Sequence, residues 1–221
     1  MEKVIITGGS DGLGYELSKQ LLEKGVGVVC LSRSKPKNLT CDHIPVDLTD
    51  QAELTNAIEA VKTSYSDFDA LINNAGKFAL ESLNALTYEV TNQTIQLNLI
   101  APMLLTSGLL DLVKKNEADI ALITSKVSYK ANLDEAAYGA SKWGLRGFAE
   151  NLRLELASTH CRVTTIAPGG FQSRFFEKFK GEHIDLSPFM DLRGIARLII
   201  QTLEAPKDIE VSEMILSRKK K

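Results

Sequence analysis

Cysteine, net charge and long apolar runs are all scarce in this chain, and each scarcity excludes something. Three cysteines, Cys30, Cys41 and Cys161, are scattered over 221 residues without metal-ligand spacing. That rules out a disulfide scaffold and gives no metal site, and an odd count fits reduced thiols in the cytoplasm. Cys30 and Cys161 lie in or beside apolar, strand-like runs and read as packing residues. Lys and Arg number 26 against 28 Asp and Glu, a net charge of −2. No nucleic acid or membrane surface is implied by that balance. The basic end, Arg218 to Lys221, is a short solvated tail. No signal peptide is evident before the first strand at Met1-Glu2-Lys3, and no uninterrupted apolar segment reaches membrane length. Internal repeats and low-complexity linkers are missing too.

What remains is a chain with 44% apolar residues, enough for one large domain with a substantial core. Val4-Ile5-Ile6 reads as a buried strand. It runs into Thr7-Gly8-Gly9-Ser10-Asp11-Gly12-Leu13-Gly14 and a helix from about Leu13 to Lys24. Glycines at 8, 12 and 14 let the backbone turn tightly against a pyrophosphate, and the helix N-terminus offers it free N–H groups. The spacing is G-x-x-x-G-x-G, not the commoner G-x-G-x-x-G. Gly25 fits a helix C-cap.

A second strand, Gly27 to Leu31, ends at Ser32-Arg33-Ser34-Lys35. In dinucleotide sites an acid near this point holds the ribose 2′-OH, whereas an arginine accommodates a 2′-phosphate. Ser32 and Arg33 stand here in place of the acid, which favours NADP(H) over NAD(H). Arg33 as an ordinary loop arginine is the alternative.

Further strands are expected at Ile44–Leu48, Asp69–Ile72, Ile120–Thr124, Arg162–Ile166 and Glu213–Leu216. Between them lie helices from Asp50 to about Tyr65, with a capping box at Asp50 and Glu53, and from Thr87 to Lys115. Two more run from Glu135 to Ser158 and from Asp191 to Leu203. Seven strands alternating with helices predict an α/β fold, a doubly wound Rossmann arrangement with a seven-stranded parallel sheet. Ligands of such sheets sit outside the carboxyl ends of the strands, where Gly8, Asn74 and Ser125 all fall.

Tyr138 and Lys142 lie four residues apart in a helical stretch, so both tips can reach one site. A neighbouring ammonium favours the phenolate and would lower a tyrosine pKa from ~10, making a general acid/base. Most such pairs are solvated helix surface, so the reading depends on Ser125 and Asn98. Pro102, four residues after Asn98, cannot bond its carbonyl. That carbonyl either holds a water in a proton relay or merely marks a kink. Phe171, Phe175, Phe176, Phe179, Phe189 and Met190 suggest an apolar lid over residues 171–190.

Taken together, these motifs resemble the short-chain dehydrogenase/reductase family over essentially the whole chain. Thr7-Gly8, Gly12 and Gly14 are similar to its cofactor turn, with Ser10 and Leu13 inside it. Asp47, followed by Leu48, matches its adenine-contacting aspartate. Asn73-Asn74-Ala75-Gly76 matches its sheet-stabilising motif, and Asn98, Ser125, Tyr138 and Lys142 match its catalytic tetrad. Pro168-Gly169, Phe171 and Ser173 fit the segment that holds the nicotinamide. The resemblance implies that Tyr138 exchanges a proton with the substrate oxygen and that Ser125 positions this oxygen. It gives Lys142 the tasks of lowering the tyrosine pKa and binding the nicotinamide ribose, and Asn98 that of holding a relay water. A small carbonyl or alcohol would be the substrate, and a homodimer or homotetramer built on the helices of Asn98 and Tyr138 is implied. Trp143, Leu145, Phe148 and Leu152 are candidates for that surface.

Two departures bear on this. Asp11 stands where many NADP-dependent members carry a basic residue, and the chain is short after Ser173. The rival reading is a non-enzymatic NADP(H)-binding redox sensor or scaffold, since fold does not fix function. An epimerase or dehydratase would need a larger C-terminal region than this chain has.

Overall fold

Short β-branched and leucine-rich runs bounded by glycines and polar turns pair here into one parallel sheet. The computed structural model describes residues 1–173 and 185–219. The strands are β1 (Lys3–Thr7), β2 (Gly27–Ser32), β3 (Asp42–Pro45), β4 (Ala70–Asn73), β5 (Asp119–Ile123), β6 (Val163–Pro168) and β7 (Glu213–Leu216). Their order is β3-β2-β1-β4-β5-β6-β7, all parallel. The reversal of direction between β1 and β4 opens the crevice where doubly wound sheets bind ligands.

Helices cover both faces because the strands are apolar on both. On one side α2 (Gln51–Ser64), α4 (Ala101–Lys115) and α5 (Ala136–Leu156) bury Leu54, Leu105, Leu109, Leu145 and Leu152 against Ile5, Leu71, Ile120 and Leu122. On the other, α1 (Gly12–Glu23) and α6 (Leu192–Leu203) bury Leu17, Leu21, Ile195 and Ile199 against Val4, Ile6 and Ile72. Neighbouring residues Val4, Ile5 and Ile6 thus point to alternate layers, as a strand's period of two requires. Each fully buried Leu or Ile contributes about 1.5–3 kcal/mol relative to exposure.

β3 ends at Pro45, not Leu48, although Val46 N–H still bonds the Ser32 carbonyl of β2 at 3.2 Å. Asp50 does cap α2, accepting from Glu53 N–H at 2.9 Å. The Glu53 carboxylate reaches Asp47 N–H at 2.6 Å instead of closing a box on Asp50.

The expected helix over 87–115 is three pieces: α3 (Tyr88–Ile95), a π-helical turn (Gln96–Ile100) and α4. Ala101 N–H bonds the Gln96 carbonyl five residues back, just before Pro102 enters α4 without an N–H. The missing donor is absorbed as a π-turn, a feature frequent at functional sites. By length and composition alone Tyr88–Lys115 is long and apolar enough to cross a membrane. Its stripe of Leu105, Leu109 and Val113 packs into the sheet core. Of the proposed contact surface on α5, Leu145 and Leu152 are buried and Phe148 packs against the core, which leaves Trp143 as the exposed member.

Candidate active site

The carboxyl ends of β1, β4, β5 and β6 bring the expected residues to one edge. In the turn after β1, Gly8 has φ +69°, and a Cβ there would lie 3.0 Å from Ala75 Cα. A Cβ on Gly14 would fall 2.3 Å from the Gly8 carbonyl. Only glycine fits this doubled-back path. Ser10 lies within it and Leu13 is buried beneath it. Asp11 accepts from Gly12 N–H at 2.7 Å and caps α1, which puts a carboxylate at the helix N-terminus.

A brace that the motif alone does not display joins this turn to β4. The Thr7 hydroxyl accepts from the N–H groups of both Asn74 and Ala75, at 3.0 and 2.9 Å. Asn74 Nδ2 returns a bond to the Thr7 carbonyl at 2.9 Å. Gly76 is held close by its surroundings: a Cβ there would sit 3.3 Å from Asn98 Oδ1 and 3.6 Å from Lys142 Nζ.

At the end of β2, Ser32 is buried and its hydroxyl donates to the Ser34 carbonyl at 2.9 Å, while Arg33 is exposed. Asp47 takes the Thr49 hydroxyl and N–H at 2.7 and 2.9 Å. Those bonds, with a smaller contribution from Arg33, hold its carboxyl below the ordinary value. Leu48 is buried beside it.

Ser125 follows β5 and caps a single 3₁₀ turn (Lys126–Ser128). Its hydroxyl is hydrogen-bonded to the Tyr138 hydroxyl. Tyr138 is 7% exposed, with the Phe78 ring edge-on at 5.0 Å. Lys142, one turn further along α5, donates to the Ile123 carbonyl at 2.8 Å, and its Nζ lies 5.9 Å from the centre of the Tyr138 ring. Asn98, the fourth residue of the expected tetrad, is fully buried in the π-turn. Asn98 Oδ1 accepts from Lys77 N–H at 2.7 Å, and Nδ2 donates to the Lys77 carbonyl at 2.8 Å and to Ser141 Oγ at 3.0 Å. Ser141 Oγ donates in turn to the Tyr138 carbonyl at 2.6 Å. Ser141 and Phe78 were not among the sequence candidates. The signal for Ser141 was its place inside the Tyr138–Lys142 stretch.

The electrostatics differ from the expectation that Lys142 lowers the tyrosine pKa. Burial pushes the Tyr138 phenol up to about 12, the Ser125 hydrogen bond opposes this, and the Glu135 carboxylate reinforces it. Burial pushes Lys142 down to about 8. Desolvation disfavours the charged form of both groups. At neutral pH Tyr138 is therefore a protonated phenol, the form that can donate a proton.

On the β6 side, Pro168 ends the strand and Gly169 N–H donates to the Leu216 carbonyl at 2.9 Å. Phe171 bridges to Met190, and Ser173 is buried with its Cβ facing Gly12. Phe175, Phe176 and Phe179 of the expected lid lie outside the described residues; Phe189 is inside them and packs against Gly170.

With this geometry in place, the sequence profile of the short chain dehydrogenases matches residues 2–183. The chain belongs to the short-chain dehydrogenase family. It is thus an oxidoreductase of the type acting on CH–OH groups. An uncharacterized oxidoreductase of Staphylococcus epidermidis is 24% identical, over 97% of this chain and 96% of that protein. The 3-oxoacyl-[acyl-carrier-protein] reductase of Buchnera aphidicola is 29% identical over 80% of this chain and 76% of its own. Among solved structures, an alcohol dehydrogenase of Thermococcus sibiricus bound to 5-hydroxy-NADP has a TM-score of 0.87 at 21% identity, covering all of both chains. A 4-hydroxyisoleucine dehydrogenase bound to NADH has a TM-score of 0.86 at 22% identity, over 98% of this chain and 97% of that one. Both share this fold.

Proposed function

We propose that this family member is an NADP(H)-dependent oxidoreductase that transfers hydride between the nicotinamide and a small carbonyl or alcohol, with Tyr138 as general acid/base. The observation that carries the reading is the buried Tyr138 phenol hydrogen-bonded to Ser125 at the cofactor edge of the sheet. A nicotinamide cofactor supplies the hydride chemistry when bound. The glycine path fits such a group, since side chains at positions 8 and 14 would close it. The chain's own residues do the rest. Gly8, Ser10, Gly12, Leu13 and Gly14 receive the pyrophosphate at the N-terminus of α1. Asp47 and Leu48 border the adenine. Asn74, Ala75 and Gly76 shape the middle of the groove, and Pro168, Gly169, Phe171 and Ser173 flank the nicotinamide.

Ser125 orients the substrate oxygen and Tyr138 delivers the proton to it. Lys142 binds the ribose and carries the compensating charge. Both N–H groups of Asn98 are occupied by Lys77 and Ser141, so its part in a proton relay falls to its main-chain carbonyl. Use of NADP(H) would make reduction the favoured direction.

Structural neighbours bind either nicotinamide form: the Thermococcus protein holds 5-hydroxy-NADP and the 4-hydroxyisoleucine dehydrogenase holds NADH. The preference for NADP(H) in this chain rests on Arg33, exposed at the end of β2, with Ser32 beside it. The whole chain acts as one dinucleotide-binding domain. Exposed Met103, Leu104, Trp143 and Leu154 on α4 and α5 join copies of the chain into a homodimer or homotetramer in the cytoplasm.

The test is calorimetric titration with NADPH and NADH on wild type and Arg33→Ala. NADPH binding at least ~10-fold tighter, about 1.4 kcal/mol, with most of the gap removed in the variant, supports the 2′-phosphate assignment. Equal binding of the two cofactors to wild type would refute it.

A further inference from the structure

Two thiols meet beneath the glycine turn, where the activity has no use for them. Cys41 Sγ lies 3.8 Å from Cys30 Sγ. Cys30 pairs with His43 across the parallel β2–β3 ladder, so Cys41, two residues before His43, projects from the same face. Cys30 is fully buried, and Cys41 is half-buried at the edge of the same core layer. The sulfur of Cys30 also forms the floor of the cofactor turn. A Cβ on Gly9 would lie 2.4 Å from it. The Ser18 hydroxyl, 3.5 Å from that sulfur, donates to the Gly14 carbonyl at 2.8 Å. Cys30 thus touches the turn at Gly9 directly and at Gly14 through Ser18.

We propose that Cys30 and Cys41 form a redox-modification site: peroxide oxidation joins them in a disulfide, and this bond weakens dinucleotide binding at the turn above. The effect on binding rests on the cofactor reading given above; the disulfide itself does not.

The order of events follows from exposure. Solute reaches Cys41 first, and burial pushes the Cys30 thiol up to about 12, so Cys30 stays protonated. The Cys41 thiolate attacks hydrogen peroxide. The O–O bond breaks, hydroxide leaves and takes up the proton Cys41 has lost, and a sulfenic acid forms. The Cys30 sulfur then attacks the Cys41 sulfur, the S–O bond breaks, and water leaves with the Cys30 proton. Two thiols are oxidised and one peroxide is reduced to two waters. The sulfurs must close from 3.8 Å to about 2.05 Å, which draws Cys30 towards β3 and away from Gly9 and Ser18. Cys161 is the internal control. It sits in the other core layer, donating to the Val113 carbonyl at 3.3 Å, and among the described residues no other cysteine belongs to that layer.

The experiment treats reduced full-length protein with hydrogen peroxide, then alkylates, maps peptides and titrates NADPH. The expected result is a Cys30–Cys41 cross-link with loss of two hydrogens in mass, one of the three cysteines still alkylated, and NADPH binding weakened at least about five-fold. Dithiothreitol should restore binding. Cys41→Ser should bind NADPH like reduced wild type and ignore peroxide, and Cys30→Ala should give no cross-link after the same treatment. Three alkylated cysteines after treatment, or sulfinic acid at Cys41 without a cross-link, would overturn the site. A cross-link with unchanged NADPH binding would overturn its control of the turn. If reduced protein fails to bind NADPH, the cofactor reading falls, while the mass measurement still judges the thiol pair.

Discussion

Asn98 Nδ2 donates to Ser141 Oγ at 3.0 Å, and that one bond keys the π-turn to the helix carrying Tyr138 and Lys142. Ser141 passes the constraint on by donating to the Tyr138 carbonyl. Asn98 also clamps the Lys77 backbone through both its oxygen and its nitrogen. Replacing it by alanine leaves buried polar groups on two segments without partners. Asn98→Ala should therefore cost about 2–4 kcal/mol of stability in urea unfolding. Ser141→Ala, which removes only the link, should cost about 1 kcal/mol and lower kcat more than it raises KM. Equal losses in the two variants would show that the Lys77 clamp adds nothing.

Lys142 is charged at a cost. Its folded pKa, about 8, is below its ordinary 10.5, so between those values the unfolded chain binds more protons and stability rises with pH. Lys142→Met removes the buried ammonium. The variant should match or exceed wild type in thermal stability at pH 7 while losing activity, and its margin should shrink as wild type gains stability towards pH 10. Beyond pH 10 the sign reverses, because Tyr138 holds its proton in the fold up to about 12 and the unfolded chain does not. Melting temperatures from pH 6 to 10 for both proteins decide this; a margin constant with pH contradicts it.

Glu135 lies one helical turn before Tyr138, its carboxylate bound by Asn132 Nδ2 and its charge raising the phenol pKa. Glu135→Gln removes that charge and keeps the amide-sized side chain. In the alcohol-oxidation direction, which needs the phenolate, the rising limb of kcat/KM against pH should move to lower pH. An unmoved limb would show that the carboxylate is screened from Tyr138.

Much of this was legible in the sequence because the relevant signals are local. The strand-turn-helix at Val4 to Lys24 needs only neighbouring glycines and an apolar period, and the alternation of strands and helices fixes a parallel sheet. Legibility failed where distant parts decide. The π-turn at Gln96–Ile100 answers to Pro102 together with the docking of Asn98 on Lys77 and Ser141, partners far apart in the chain. β3 ends at Pro45, three residues short of the expected Leu48, and its extent depends on pairing with β2, a separate strand. The protonated state of Tyr138 comes from burial under Phe78 and the sheet edge, which the spacing to Lys142 does not encode.

The most direct measurement is turnover by Tyr138→Phe. Wild type and variant are assayed for NADPH oxidation across a panel of small carbonyls, alongside calorimetric NADPH binding. The account predicts binding within a few-fold of wild type and turnover lower by ~10²–10⁴, the usual contribution of a positioned acid. A variant that turns over like wild type, or a wild type that binds NADPH and reduces none of the panel, would contradict it.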